Sequence, residues 1–552
     1  MLSQCNVEGV SVKVGPQNKS KILLRFNDQR VEILGKAFMV GKVKLKLFSL
    51  AQDHKFFILT IITGLAAGFM AIALHQSIDL IKNLIGTAHG FTWYSFLLGG
   101  LLVFISGLIT TRFMPTTGGS GVPRIKILLA VHHGYIATKE WITKFFTTLL
   151  TLSSGAPLGY EAPIIFIAGG VGSSLGRKWG FTERKLKDLV YVGCSAGIAA
   201  AFNTPIAAVI FVFEEITGTM STKSMGPILI SSLVASITAS TLIGRNSIFT
   251  PQAYSFNDPK ELFFYLAMGI VAGLAGPLFI SSILVVKKIS MTFFKHHRLT
   301  PIMFAFTIVG LLSLLEPEVP GNGLETINEY LLGNVPVIES LLILLVLKFI
   351  ASALCNGSGM SGGIMLPVML FGAIIGGLFG QLATWLLNID HMQIGAFCLV
   401  GMGAFFASVI RTPFTSVILV FEMTRDYRIV LPLMVANLIS YFLAEKVSPG
   451  SIYERSANFD GYQLPGHEEE DSLAHALVEE VYKRSPSNFD VNPSFAEVIY
   501  PDQTLSYALV KLKKHKNKSH LKVVNRVNPK EIYGTIRLED ILDYLSRNHH
   551  AE

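Results

Sequence analysis

From Phe56 to about Leu443 the chain is a succession of long apolar runs separated by short polar breaks, and the runs are interrupted by Gly and Pro more often than by charge. Stretches such as 96–110, 262–286, 338–354 and 428–443 carry no amphipathic period, and they predict helices that lie in a bilayer. Several fall short of the roughly 20 residues that a simple span needs. Broken and closely packed helices are therefore expected, with non-helical backbone at membrane depth only where protein or a watery cavity covers it. Ahead of this region lies a polar segment, 1–46, in which KILLRF and VEIL hint at short strands. It reads either as an extension before a start near Met39 or as an ordered cap under the membrane part. After Tyr453 the pattern turns polar again, with an acidic run at Glu468–Asp471. Three parts follow: an N-terminal segment 1–46, a membrane domain 47–455, and a tail 456–552.

Composition narrows the class. With 51% hydrophobic and 15% charged residues, and a mean hydropathy of +0.50, the chain is neither a soluble enzyme nor a disordered one. The 49 Gly and 23 Pro favour a transporter or channel. The net charge is +8, and Lys and Arg gather at 19–46 and 511–526, which places both ends in the cytoplasm of a multi-pass protein in a cell membrane. Only Phe26 and Phe38 lie among those clusters, so nucleic acid is not an expected partner. No cleavable signal is expected, because residues 1–46 lack a short apolar core with a small-residue cleavage site. Cys5, Cys194, Cys355 and Cys398 suggest neither a metal site nor a disulfide framework.

An internal repeat organises the membrane part, about 95–225 and 300–425. LGYEAPIIFIAGGVGSSLG around Pro163 aligns with GGIMLPVMLFGAIIGGLFG around Pro367, 204 residues on. Ser154 meets Ser358 at this offset, Gly155 meets Gly359, Gly172 meets Gly376, and Lys144 meets Lys348. Upstream, GGSGVPRIK at 118–126 pairs with PGNGLETIN at 320–328; downstream, AFNTPIAAVIFVFEE at 201–215 pairs with VIRTPFTSVILVFEM at 409–423. Repeats of this length with discontinuous helices point to a transporter in which substrate binds between the halves. Span counting leaves parallel and inverted arrangements both open.

Differences between the halves mark the candidate chemistry. Glu161 faces Met365, Glu215 faces Met423, and Ser120 faces Asn322, whereas Glu214 matches Glu422. Glu161 is a lone carboxylate in an apolar run, and an intramembrane charge is costly enough that function is its default reading. Gly155, Pro157 and Gly159 cannot sustain a regular helix before it, and Pro163 suits the first turn of a new one. Glu161 is thus expected near a helix N-terminus, where free N–H groups attract anions and where a small external anion would have to displace it. Its plainer alternative is a carboxylate that caps its own helix. Glu214 and Glu422 read as structural helix-end carboxylates, and Glu215 as either functional or a solvated end of VIFVFEE.

At these residues the chain resembles the CLC family of chloride channels and chloride/proton exchangers, over roughly 50–455. Four motifs carry the resemblance in order: GSGVP at 119–123 for the family's GSGIP, GYEAP at 159–163 for GREGP, GGIMLP at 362–367, and Tyr453 in SIYER. The resemblance implies an all-α polytopic fold with an inverted repeat of broken helices, and a homodimer with an anion path in each subunit. It implies chloride held by the hydroxyls of Ser120 and Tyr453 and by the backbone N–H groups of Ile364 and Met365. Neutral donors of this kind let an anion leave again. It makes Glu161 the external gate, at which chloride and proton compete, and Glu215 the internal proton-transfer residue. Glu214 and Lys144 are secondary candidates. Tyr160 and Ala162 depart from the usual Arg and Gly, Arg124 stands where many members have an acid, and Met365 replaces an aromatic.

The expected function is secondary antiport of chloride against protons, with a passive channel as the same-fold alternative. A membrane-embedded enzyme using Glu161 and Glu215 lacks a nucleophile, a metal set or a His partner, since His132 and His133 fall between spans. Residues 498–547 resemble one CBS motif in a small α+β tail. Such motifs pair, and some pairs bind adenine nucleotides; one copy leaves a degenerate pair, pairing across a dimer, or a cap without ligand. No cofactor is expected beyond chloride and protons as substrates, and a tail that senses a ligand is a third reading.

Overall fold

The computed structural model describes residues 6–7, 10–11, 28–87, 91–218, 222–243, 249, 260–294, 297–387, 394–424, 426–462, 476–484, 498–501, 503–514, 520–524 and 532–549, with side-chain detail from residue 53 onward. It forms two compact units, Met1–Ile62 and Thr63–Glu552. In the first, Asn6–Val7 pairs antiparallel with Val10–Ser11. VEIL, expected as a strand, lies instead in the helix Asp28–Ile85, and KILLRF lies outside the described residues. The β-branched pair in VEIL is too short to outweigh the helix formers on either side of it.

Among the described residues seven helices are long and apolar enough to cross a membrane: Asp53–Ile85, Trp93–Phe113, Ser224–Leu242, Glu261–Phe293, Ile338–Gly357, Met365–Leu386 and Tyr427–Phe459. Shorter apolar helices, including Ile394–Ile410 and Pro413–Thr424, fill the interior between them. Their large exposed residues, such as Phe263, Leu278 and Trp385, face outward as lipid-facing residues do.

The repeat seen in the sequence is a repeat in space. Glu161–Lys178 packs on Glu183–Phe202, and Met365–Leu387 packs on Ile394–Ile410. Glycine permits both approaches: a Cβ on Gly172 would sit 2.2 Å from the Leu189 carbonyl oxygen, and one on its equivalent Gly376 would sit 2.1 Å from that of Phe397. Equivalent residues also meet each other. Gly159 N–H donates to Gly363 O (2.8 Å) and Gly363 N–H donates to Gly159 O (2.6 Å), an antiparallel pair that puts a local two-fold axis between the halves.

Two further pairs of equivalents hold the frame. Buried Lys144 donates to the carbonyls of Thr117 and Gly119, while buried Lys348 donates to those of Glu318 (2.7 Å) and Pro320 (3.2 Å). Each lysine thereby pins the loop that leads into a short helix, Val122–Val131 or Leu324–Leu331. Glu214 and Glu422 exchange caps across the repeat. The Glu214 carboxylate accepts from the N–H groups of Phe414 (3.1 Å) and Thr415 (2.8 Å), and the Glu422 carboxylate accepts from those of Ile206 (3.0 Å) and Ala207 (2.7 Å). Each acid thus caps a helix of the other half. Because a lost cap costs about 1 kcal/mol, Glu422→Ala is expected to lower the melting temperature of the purified protein by a few degrees and to leave its transport selectivity unchanged.

In the tail, four strands run in the order Lys483–Arg484, Ile532–Arg537, His520–Val524, Val498–Ile499, with the last pair parallel. The helices Leu505–Lys514 and Leu538–His549 accompany them, and Leu505, Leu521, Val523, Ile536 and Ile541 form a small separate core. The acidic run Glu468–Asp471 lies outside the described residues.

Candidate functional site

Two helix N-termini converge beside the Gly159–Gly363 pair: one helix begins at Glu161 and the other at Met365. Gly155, Pro157 and Gly159 follow the end of one preceding helix and Gly359, Gly362 and Gly363 that of the other, and Pro163 and Pro367 sit in the first turn of the new ones, where a missing N–H costs nothing. Six helix-start N–H groups therefore lie near the axis between the halves, three for each helix, because Pro163 and Pro367 have none.

Glu161 occupies this place. It is 1% exposed, and neither carboxylate oxygen makes a hydrogen bond. The N–H groups of Tyr160 and Glu161 on its own helix and of Leu366 on the other act on the carboxylate electrostatically, without reaching hydrogen-bond geometry. The fit is close, since a Cβ on Gly159 would lie 2.1 Å from Glu161 Oε2.

Ser120, Ile364 and Tyr453 line one cavity of about 380 Å³, together with Gly119, Ser358 and Lys287. The Tyr453 hydroxyl is buried and makes no hydrogen bond. Tyr453 lies within electrostatic reach of both Glu161 and Glu215. Met365 is buried at the helix start and does not line this cavity. Converging N–H groups and one hydroxyl without a partner suit a small anion, and Arg124, Lys287 and Arg298 in the cavity lining add positive charge around it.

Glu215 stands apart from this cavity, in a π-helical turn over Val212–Thr217. It is 2% exposed and is not a solvated helix end. Its Oε1 accepts from Lys126 Nζ (2.9 Å) and from Ser451 Oγ (3.0 Å), and Lys126 Nζ also reaches Glu454 Oε1 (3.0 Å). Sequence reasoning missed Lys126, Ser451 and Glu454. The signal was a single lysine in the apolar run IKILLA just after GSGVP.

The departures from the resembled pattern have local explanations. Arg124, which lines the cavity, pairs with the nearly buried Glu140 (2.8 Å). Tyr160 is buried, its ring centroid 5.2 Å from that of His75 and its hydroxyl 3.5 Å from Ala201 O. No clusters of His, Cys, Asp and Glu suited to a metal occur among the described residues.

Helix starts meeting on a repeat axis around one carboxylate define a membrane transport protein for small anions. The model of the voltage gated chloride channel family matches residues 102–445, and the chain belongs to that family, the CLC proteins. It is 31% identical over 386 residues to a putative chloride channel protein ClcB-like of Ralstonia nicotianae, covering 68% of this chain and 88% of that one. It is 30% identical over 408 residues to the H(+)/Cl(-) exchange transporter ClcA of Vibrio campbellii, covering 71% and 86%. Among solved structures, a slow cyanobacterial Cl-/H+ antiporter superposes with a TM-score of 0.66 at 23% identity, covering 74% of this chain and 99% of that one. A eukaryotic CLC transporter superposes with a TM-score of 0.68 at 18% identity, covering 89% and 98%. At those identities the structures establish the CLC fold, with its membrane helices and a small α+β region after them.

Proposed function

We propose that this protein is a secondary active antiporter that exchanges chloride for protons across a cell membrane, as a homodimer with one path per subunit and both termini in the cytoplasm. The observation that carries the reading is the Glu161 carboxylate, buried without a hydrogen bond where two helix N-termini meet. Buried polar groups are nearly always paired, and one left unpaired needs a reason. Competition supplies the reason: as an anion Glu161 holds the helix ends against chloride, and as a neutral acid it loses that hold and carries a proton away. In this reading chloride is bound by Ser120 Oγ, the Tyr453 hydroxyl and the N–H groups of Ile364 and Met365. Lys144 serves it indirectly, by pinning the Thr117 and Gly119 carbonyls ahead of Ser120. The relatives named as exchangers support the antiport reading.

Glu215 is the internal proton station. Its burial keeps it off the cavity that Ser120 lines, so the proton and chloride routes join only around Tyr453 and Glu161. The tail is read as a CBS-like segment, for which a degenerate pair, pairing across the dimer and a cap without ligand all remain open. The deciding experiment replaces Glu215 with Gln and follows both ions in proteoliposomes. Proton movement lost with chloride flux retained supports exchange through Glu215; proton movement retained in the variant removes Glu215 from the path.

A further inference from the structure

We propose that Glu454 is the station at which protons enter from the cytoplasm and that Lys126 hands them to Glu215, so that the three residues act as one relay. The proposal rests on the antiport reading above.

Three observations carry it. Glu215 is sealed at 2% exposure, so a more open group is needed to deliver its proton. Glu454 is the more open of the two acids, with 25% of its side chain exposed, and it touches the same ammonium: Lys126 Nζ lies 2.9 Å from Glu215 Oε1 and 3.0 Å from Glu454 Oε1. Lys126 is itself only 8% exposed, which leaves it between the acids and nearly out of solvent.

The geometry is held rigidly. Ser451 Oγ accepts from Glu454 N–H (3.2 Å) and donates to Glu215 Oε1 (3.0 Å), and Glu454 Oε2 accepts from Ser451 N–H (3.3 Å). The capping box that starts the helix Ile452–Phe459 thus fixes Glu454, Glu215 and the adjacent Tyr453 together. Lys126 belongs to the helix Val122–Val131, which begins two residues after Ser120. Two members of the relay, Lys126 and Glu454, therefore lie on the two short helices whose first-turn residues also line the Ser120 cavity.

The transfer balances. Protonated Glu454 faces the Lys126 ammonium, which faces the Glu215 carboxylate. Lys126 gives one proton to Glu215, and the amine so formed takes the proton of Glu454. The net result is a neutral Glu215, an ionised Glu454 and an ammonium as before. Reversing the steps returns the proton, so no oxidant or co-reactant is required.

The test reconstitutes the full chain in liposomes and measures proton and chloride fluxes of the parent, Glu215→Gln, Glu454→Gln, Glu454→Asp and Lys126→Gln. Expected are an at least tenfold fall in the proton-to-chloride ratio for Glu454→Gln and Lys126→Gln, and partial return of the ratio in Glu454→Asp. A merely structural role would lower both fluxes together and leave the ratio unchanged, and that result overturns the relay. If Glu454→Gln does not assemble, Lys126→Gln decides alone, by the same ratio. If Glu215→Gln uncouples and the other variants do not, the relay falls and the antiport reading stands. Should Glu215→Gln itself leave the ratio intact, both fall.

Discussion

Glu161→Gln is expected to end proton movement and to leave chloride moving at a rate that no longer responds to external pH. Glutamine keeps the shape of the side chain and removes both the charge and the proton. The carboxylate now sits at two helix starts with no hydrogen bond to hold it, so its grip is mainly electrostatic. A neutral amide loses that grip, and chloride meets a weaker competitor. Chloride flux should remain within about tenfold of the parent, the effect of roughly 1.4 kcal/mol on a barrier. Proton flux should fall to that of protein-free liposomes. Flux assays at several external pH values check this, and a variant that still moves protons would show that Glu161 does not carry them.

The second large effect is expected from Gly159→Ala. A Cβ at this position would come within 2.1 Å of Glu161 Oε2, whereas the nearest atoms are those of a flexible side-chain end and not of backbone. The cheapest relief is for the carboxylate to swing out of its place, leaving the helix starts to anions. Chloride flux should therefore rise and the number of protons moved per chloride should fall, in a protein that still folds. Gly363→Ala makes the contrast, because its Cβ would meet Ala162 Cβ at 2.9 Å and the Gly159 carbonyl oxygen at 3.1 Å, neither of which can step aside. That variant should lose stability and flux together. Equal behaviour of the two glycine variants would contradict the placement of Glu161.

The membrane part was legible in the sequence because burial in lipid leaves a strong one-dimensional trace: apolar runs, and Gly and Pro where helices break. The repeat was legible for a related reason, since Gly172 and Gly376 must both admit a neighbouring carbonyl, and Lys144 and Lys348 must both pin a loop. Glu161 could be placed at a helix start from Pro163 and the glycines before it. What the sequence hid are contacts across long separations. Glu214 and Glu422 read correctly as acids at helix ends, but the ends they cap belong to the other half, about 200 residues away. Likewise Lys126 meets Glu215 and Glu454 across 89 and 328 residues, and nothing local marks either pairing. VEIL misled because β-branched residues carry weight only in a short window, and here the window lies inside a helix that begins at Asp28.

The account turns on coupling, and coupling is measured most directly by uphill proton movement. Purified protein is sealed in liposomes with a chloride gradient, equal pH on both sides and the membrane potential clamped near zero, and external pH is followed. Chloride running down its gradient is expected to drive protons the opposite way, building a pH difference that a protonophore collapses. Chloride flux with no pH change would contradict the account and leave a passive chloride channel on the same fold.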